Sequence, residues 1–133
     1  MARFRDWQSR LAACLAERRA RAFEWGKHDC CLFVCDAVQA MTGRDPAADV
    51  RGYRTERAAA RIVKKLGGMR AIGGSRFGEE ILPALAQTGD VGLVVVEGRE
   101  SLALCSGTNW IAPGLDQLET LPSDAALMAW RCE

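Results

Sequence analysis

The side chains best able to do chemistry are concentrated in one run, Trp25-Gly26-Lys27-His28-Asp29-Cys30-Cys31-Leu32-Phe33-Val34. A helix beginning just after Asp29 would place Cys30 in its first turn, where unpaired amides and the positive end of the helix dipole stabilise a thiolate. The same amides would bind negative charge developing on an attacked carbonyl oxygen. A nucleophile and an oxyanion site would then share one helix terminus. A cysteine hydrolase also needs an imidazole to take the thiol proton and return it to the leaving group, with a polar residue to orient that ring. The chain holds one histidine, His28, two residues upstream of Cys30. So close an approach is cramped. The expectation is that His28 hydrogen-bonds locally and Cys30 is partly buried, with a catalytic His28–Cys30 pair as the alternative and Asp29 as the helix N-cap.

His28, Cys30, Cys31 and Cys35 fall within eight residues, so a metal site has to be weighed. Zinc wants four converging ligands, whereas Cys30 and Cys31 point about 100° apart on a helix, and there is no second C-x-x-C pair. Neither a metal nor a cofactor is expected. The six cysteines, at 14, 30, 31, 35, 105 and 132, invite a disulfide framework. Three of them share one expected helix, where neighbouring thiols are badly placed to bridge. Residues 1 to 21 are broken throughout by Arg and Glu and lack the apolar core of a secretory signal. Cytoplasmic synthesis and reduced cysteines acting as small core hydrophobes are therefore expected.

The elements that must position these residues can be read from spacing. Phe4, Trp7, Leu11 and Cys14 recur at helical steps and predict a helix over about 3 to 21. Residues 30 to 41 are apolar nearly all round, the pattern of a centrally buried helix, and Thr42-Gly43 ends it. Thr55 caps a third helix that presents Ala58, Ile62 and Leu66 inward and Arg57, Arg61, Lys64 and Lys65 outward, and Gly67-Gly68 stops it. A glycine-rich loop is expected at 73 to 78 and a short helical turn near 79 to 85. Strands are expected at 91 to 96, 101 to 106, 109 to 112 and 128 to 132, the last from the alternation of Ala126, Met128, Trp130 and Cys132. Helices first and an antiparallel sheet afterwards predict an α+β fold in a single domain, 1 to 133.

Composition narrows the function classes. With 133 residues, 49% hydrophobic and 26% charged, the chain has material for a core and is not a disordered or fibrous sequence. Eighteen Lys+Arg against 17 Asp+Glu leave a formal charge of +1, which argues against nucleic acid and against a polybasic membrane anchor. The longest apolar run, 91 to 96, is far below the roughly 18 residues a membrane span requires. The basic face of the third helix and Arg18, Arg19 and Arg21 read as solvated faces, with docking of an acidic partner as the alternative. Trp7, Trp25, Trp110 and Trp130 are core candidates, and an interface would follow if any were exposed.

Asp29-Cys30-Cys31-Leu32-Phe33-Val34 at a helix start, followed by Gly89-Asp90-Val91-Gly92-Leu93-Val94, resembles the NlpC/P60-like group of papain-like cysteine peptidases. In that family the strand after the Gly-Asp motif begins with the catalytic histidine; here the corresponding segment starts at Ser101, and only Asn109 could take the place of the third polar residue. The resemblance implies a shared fold, with the proton-transfer half of the site lost and Cys30, His28 and Asp29 as vestigial site residues. The run Phe23 to Cys30, the Ala112-Pro113-Gly114 turn and the Ala129-Trp130-Arg131 strand further resemble small NlpC-like proteins of phage and prophage tail gene clusters. That likeness implies a structural or adaptor subunit of a tail tip or baseplate, located in the virion. Its partners would be other tail proteins of hub, distal-tail or tape-measure type. The competing expectation is an active cysteine peptidase or amidase that cuts peptidoglycan stem peptides during phage entry.

Overall fold

The computed structural model describes residues 2–132, and its architecture follows from where the chain caps its helices. Four helices, α1 (Trp7–Arg18), α2 (Cys30–Thr42), α3 (Glu56–Lys65) and α4 (Met69–Arg76), precede a six-stranded antiparallel sheet. The strands are β1 (Glu80–Ile81), β2 (Val91–Val96), β3 (Arg99–Cys105), β4 (Trp110–Pro113), β5 (Leu118–Leu121) and β6 (Met128–Trp130), in spatial order β1-β6-β2-β3-β4-β5. The fold is α+β. No helix among the described residues is long and apolar enough to cross a membrane.

The central helix α2 starts where Asp29 turns its carboxylate back to accept the Leu32 N–H at 2.9 Å. It ends where Gly43 takes a left-handed conformation, φ 79°, and its N–H returns to the Gln39 carbonyl. Leu32, Phe33, Val34, Ala37, Val38 and Met41 are all sealed from solvent. They pack with Val91, Leu93, Leu102, Leu104 and Trp130, which strand register places on one face of the sheet. The opposite face carries Val94, Ala103, Trp110, Ala112 and Ala129, and Ala86, Ala125 and Ala126 from two short 3-10 turns pack on it. An antiparallel sheet usually wets one face; this one buries both.

Asp90 ties the sheet to both flanks of the described chain. It is 1% exposed and accepts the Gln87 and Cys132 N–H groups at 2.9 and 3.1 Å. The Arg3 guanidinium reaches it at 3.3 Å while also donating to the Thr88 and Cys132 carbonyls. A buried carboxylate held this way needs every one of those partners.

Several sequence expectations are corrected. The first helix spans Trp7–Arg18 and not 3 to 21, because the Phe4 N–H bonds the Met41 carbonyl and Arg3 is recruited to Asp90. Beyond α1 the backbone is drawn off by the 115–118 segment: the Leu118 N–H bonds Arg19 and the Phe23 N–H bonds Leu115. Residues 73 to 76 are not a loop but the second half of α4. A Cβ on Gly73 would come within 2.2 Å of the Trp130 ring, so the glycine is there to let the indole approach the helix. The turn near 79 to 85 divides into β1 and a 3-10 turn at Pro83–Leu85. β5 was not anticipated, and Ala59, not Ala58, is the buried alanine of α3.

Candidate functional site

Cys30 occupies the first turn of α2, half-buried, beside a carboxylate that is already spoken for. Asp29 accepts the Leu32 and Gly26 N–H groups and the Tyr53 hydroxyl, and is itself 2% exposed. Gly26 is required here. Its φ is +81°, and a Cβ would lie 1.9 Å from the Tyr53 carbonyl oxygen. The bend Glu24 to His28, closed by paired Glu24–His28 backbone hydrogen bonds, delivers Asp29 to its capping position.

A cysteine at a helix start is expected to ionise easily, and this one does not. Burial pushes the Cys30 thiol up to about 11, the Ser101 hydroxyl and the local backbone pull it back only part way, and the nearby Asp29 charge raises it further. Desolvation outweighs the dipole of the helix terminus. Cys31 is turned elsewhere, its thiol 3.7 Å from the Met69 sulfur, and burial raises its pKa more strongly still. The Tyr53 hydroxyl, buried and bonded to Asp29, is likewise held in its neutral form.

His28 is fully buried, with its ring edge-on to Phe33 at 6.0 Å between centroids. The expected local hydrogen bond of its side chain is not made: neither ring nitrogen has a partner among the described residues, and only the backbone is paired. Burial lowers its pKa below the ordinary 6.5, and the charges of Arg18 and Arg21 lower it further. Arg18 in turn is paired with Asp36, which also receives Arg51. The Ser101 hydroxyl, in a residue 7% exposed, is near enough to the Cys30 thiol to draw its pKa down, whereas the imidazole packs on Phe33 and feels the charges of Arg18, at the end of α1, and Arg21 just beyond it. Asn109 lies in the tight Ser106–Asn109 turn before β4, its main chain bonded to Ser106.

Cys30 sits at the edge of a cleft of about 410 Å³, walled by Trp25, Leu32, Val50, Tyr53, Val63 and Met69 among others. A sealed apolar void that large would cost on the order of 10 kcal/mol, as much as a small domain's whole stability. The cleft stays partly open to solvent. α3 forms one side of it without packing closely on any helix or strand, and only Ala59 of that helix is buried. The exposed Glu56–Arg99 ion pair fastens the start of α3 to β3. Among the described residues no three His, Cys, Asp or Glu side chains converge as metal ligands.

The structure thus brings Asp29, Cys30 and Ser101 together and leaves His28 on another side of α2. Sequence reasoning missed Tyr53, which locks the Asp29 carboxylate, and missed that the apolar stripe of α3 faces a cleft. The i, i+3, i+4 spacing of Ala59, Ile62, Val63 and Leu66 is the same whether the stripe meets a core or a cavity.

Fold and site together define an α+β protein with a cysteine at the start of its central helix, set against an antiparallel sheet. The chain belongs to the family DUF6950, a domain of unknown function, which matches residues 2–132. Among solved structures it is similar to RipD from Mycobacterium tuberculosis, described as a non-catalytic NlpC/p60 domain protein adapted to peptidoglycan binding. The identity is 17%, the match covers 98% of this chain and 100% of that one, and the TM-score is 0.49. No curated protein matches the chain in sequence.

Proposed function

We propose that this protein is a non-hydrolytic, NlpC/P60-like module serving as a structural or adaptor subunit of a phage-type tail tip or baseplate. The observation that carries the non-hydrolytic part is the surroundings of Cys30: a buried thiol raised to about 11, with a serine hydroxyl as the nearby group that lowers it, while the chain's single imidazole is buried against Phe33. A hydroxyl is too weak a base to take a thiol proton near neutral pH. In this reading Ser101 stands where an active relative carries its histidine, and Cys30, His28 and Asp29 are what remains of the site. The tail assignment is supported by the sequence likeness carried by Phe23 to Cys30, Ala112 to Gly114 and Ala129 to Arg131. In this reading the protein is made in the cytoplasm and ends in the virion, among hub, distal-tail or tape-measure proteins.

Purified protein incubated with bacterial sacculi should release no soluble stem-peptide fragments. Iodoacetamide should label Cys30 slowly at pH 7.5, accelerating about tenfold per pH unit toward 11. Tagged protein expressed in its native host should co-sediment with tail particles, and Cys30→Ser should do so equally. Fragment release lost in Cys30→Ser would replace this reading with a peptidoglycan peptidase; protein that never sediments with tails would sink the adaptor role.

A further inference from the structure

The two faces of α3 have opposite requirements. Ala59, Ile62, Val63 and Leu66 border the cleft, and three of the four are only half-buried. Arg57, Arg61, Lys64 and Lys65 are exposed, with Arg54 just ahead of the helix, and none forms an ion pair among the described residues. The acid of this helix, Glu56, is held by Arg99. Of the charged side chains lining the chamber, Glu56 and Arg99 pair with each other, Glu100 with Arg70 and Arg76 with Asp49, which leaves Lys64 as the lining cation without a partner among the described residues.

The chamber also discriminates by what it lacks. Asp29 and Tyr53, two polar groups of its wall, are committed to each other and to the α2 cap. A peptide backbone entering there would bring N–H and C=O groups with nothing to bond. A hydrocarbon chain brings none. With about 30 Å³ for a group the size of a water molecule, the cleft accommodates on the order of a dozen methylene-sized units. Entry is plausible mechanically, because α3 is held at its start by one exposed ion pair and followed by Gly67 and Gly68 at φ +95° and +99°.

We propose that the cleft between α3 and the first turns of α2 binds a single-chain anionic amphiphile. Its tail lies against Leu32, Val63 and Met69, and its acidic head is held by Lys64, the lining cation without an ion-pair partner among the described residues. This goes beyond the non-hydrolytic reading and does not depend on it: a catalytic Cys30 would border the same chamber, so the sacculus assay and a binding assay fail separately.

Dodecanoate, kept below its micelle concentration and titrated into the full chain, is the probe, with Trp25 in the cleft wall as the fluorescent reporter. Saturable binding of one molecule per chain is expected, with dodecyltrimethylammonium at least about tenfold weaker. Val63→Phe, which narrows the chamber, should weaken dodecanoate about tenfold, and Lys64→Glu about fivefold. Circular dichroism checks the fold of both variants, and Lys64→Glu alone decides if Val63→Phe does not fold. The proposal is overturned by the absence of saturable binding or by equal affinity for both head groups. It is equally overturned by association with phosphatidylglycerol vesicles without binding of dissolved dodecanoate, which would indicate a membrane-surface helix instead.

Discussion

α2 meets two different environments. Toward α1 and the sheet, Phe33, Val34, Val38 and Met41 are sealed at 0% exposure. Toward α3, Cys30 and Cys31 border a partly open cleft of about 410 Å³. The first side supplies stability; the second is left unfilled although the residues to fill it are present. α3 has the apolar stripe of a packed helix and lines a cavity with it, the arrangement on which the proposed amphiphile site rests.

That contrast can be broken by mutation. Asp90→Ala should be the most damaging change, since it removes the acceptor of the buried Cys132 amide and the part-buried Gln87 amide and the carboxylate that Arg3 pairs with; a loss of about 3–5 kcal/mol in urea unfolding is expected. Phe33→Ala should cost a similar 3–5 kcal/mol, roughly, whereas Val63→Ala, on the cleft side, should cost less than about 1 kcal/mol. Equal losses at Phe33 and Val63 would mean that α3 is core and the cleft closes in solution.

A pH series sharpens the same comparison. His28 is on the packed side, and burial holds its folded-state pKa below the ordinary 6.5. Below about 6.5 the unfolded chain takes up a proton that the folded chain refuses. Stability should therefore fall as pH drops through that value and level off beneath the lowered folded-state pKa. His28→Phe should flatten this part of the curve, and an unchanged slope would show that the ring is solvated. The smallest effect is expected at the latch of α3. Glu56→Gln removes an exposed ion pair and should change stability by no more than about 0.5 kcal/mol while loosening the cleft, seen as faster Cys31 alkylation.

Local chemistry made much of this legible in advance. Asp29 and Thr55 are caps because short acceptors before apolar runs satisfy free amides, and the structure pairs them with Leu32 and Ala58. β2 could be read from its valines. Gly73 could not be read as helix, because the reason for a small residue there is the Trp130 ring, which arrives from the far end of the chain. Gly92 is similar: a Cβ would meet Trp110 at 2.5 Å.

The amino-acid order alone determined the α+β succession, the start of α2 and the presence of Cys30 in its first turn, since each rests on neighbours within a few residues. Tertiary structure decided how that cysteine behaves. Its desolvation, the hydroxyl brought near it and the burial of His28 against Phe33 depend on which strands and helices close over the helix end. Electrostatic cost is set by everything within reach in space, and spacing along the chain does not encode it.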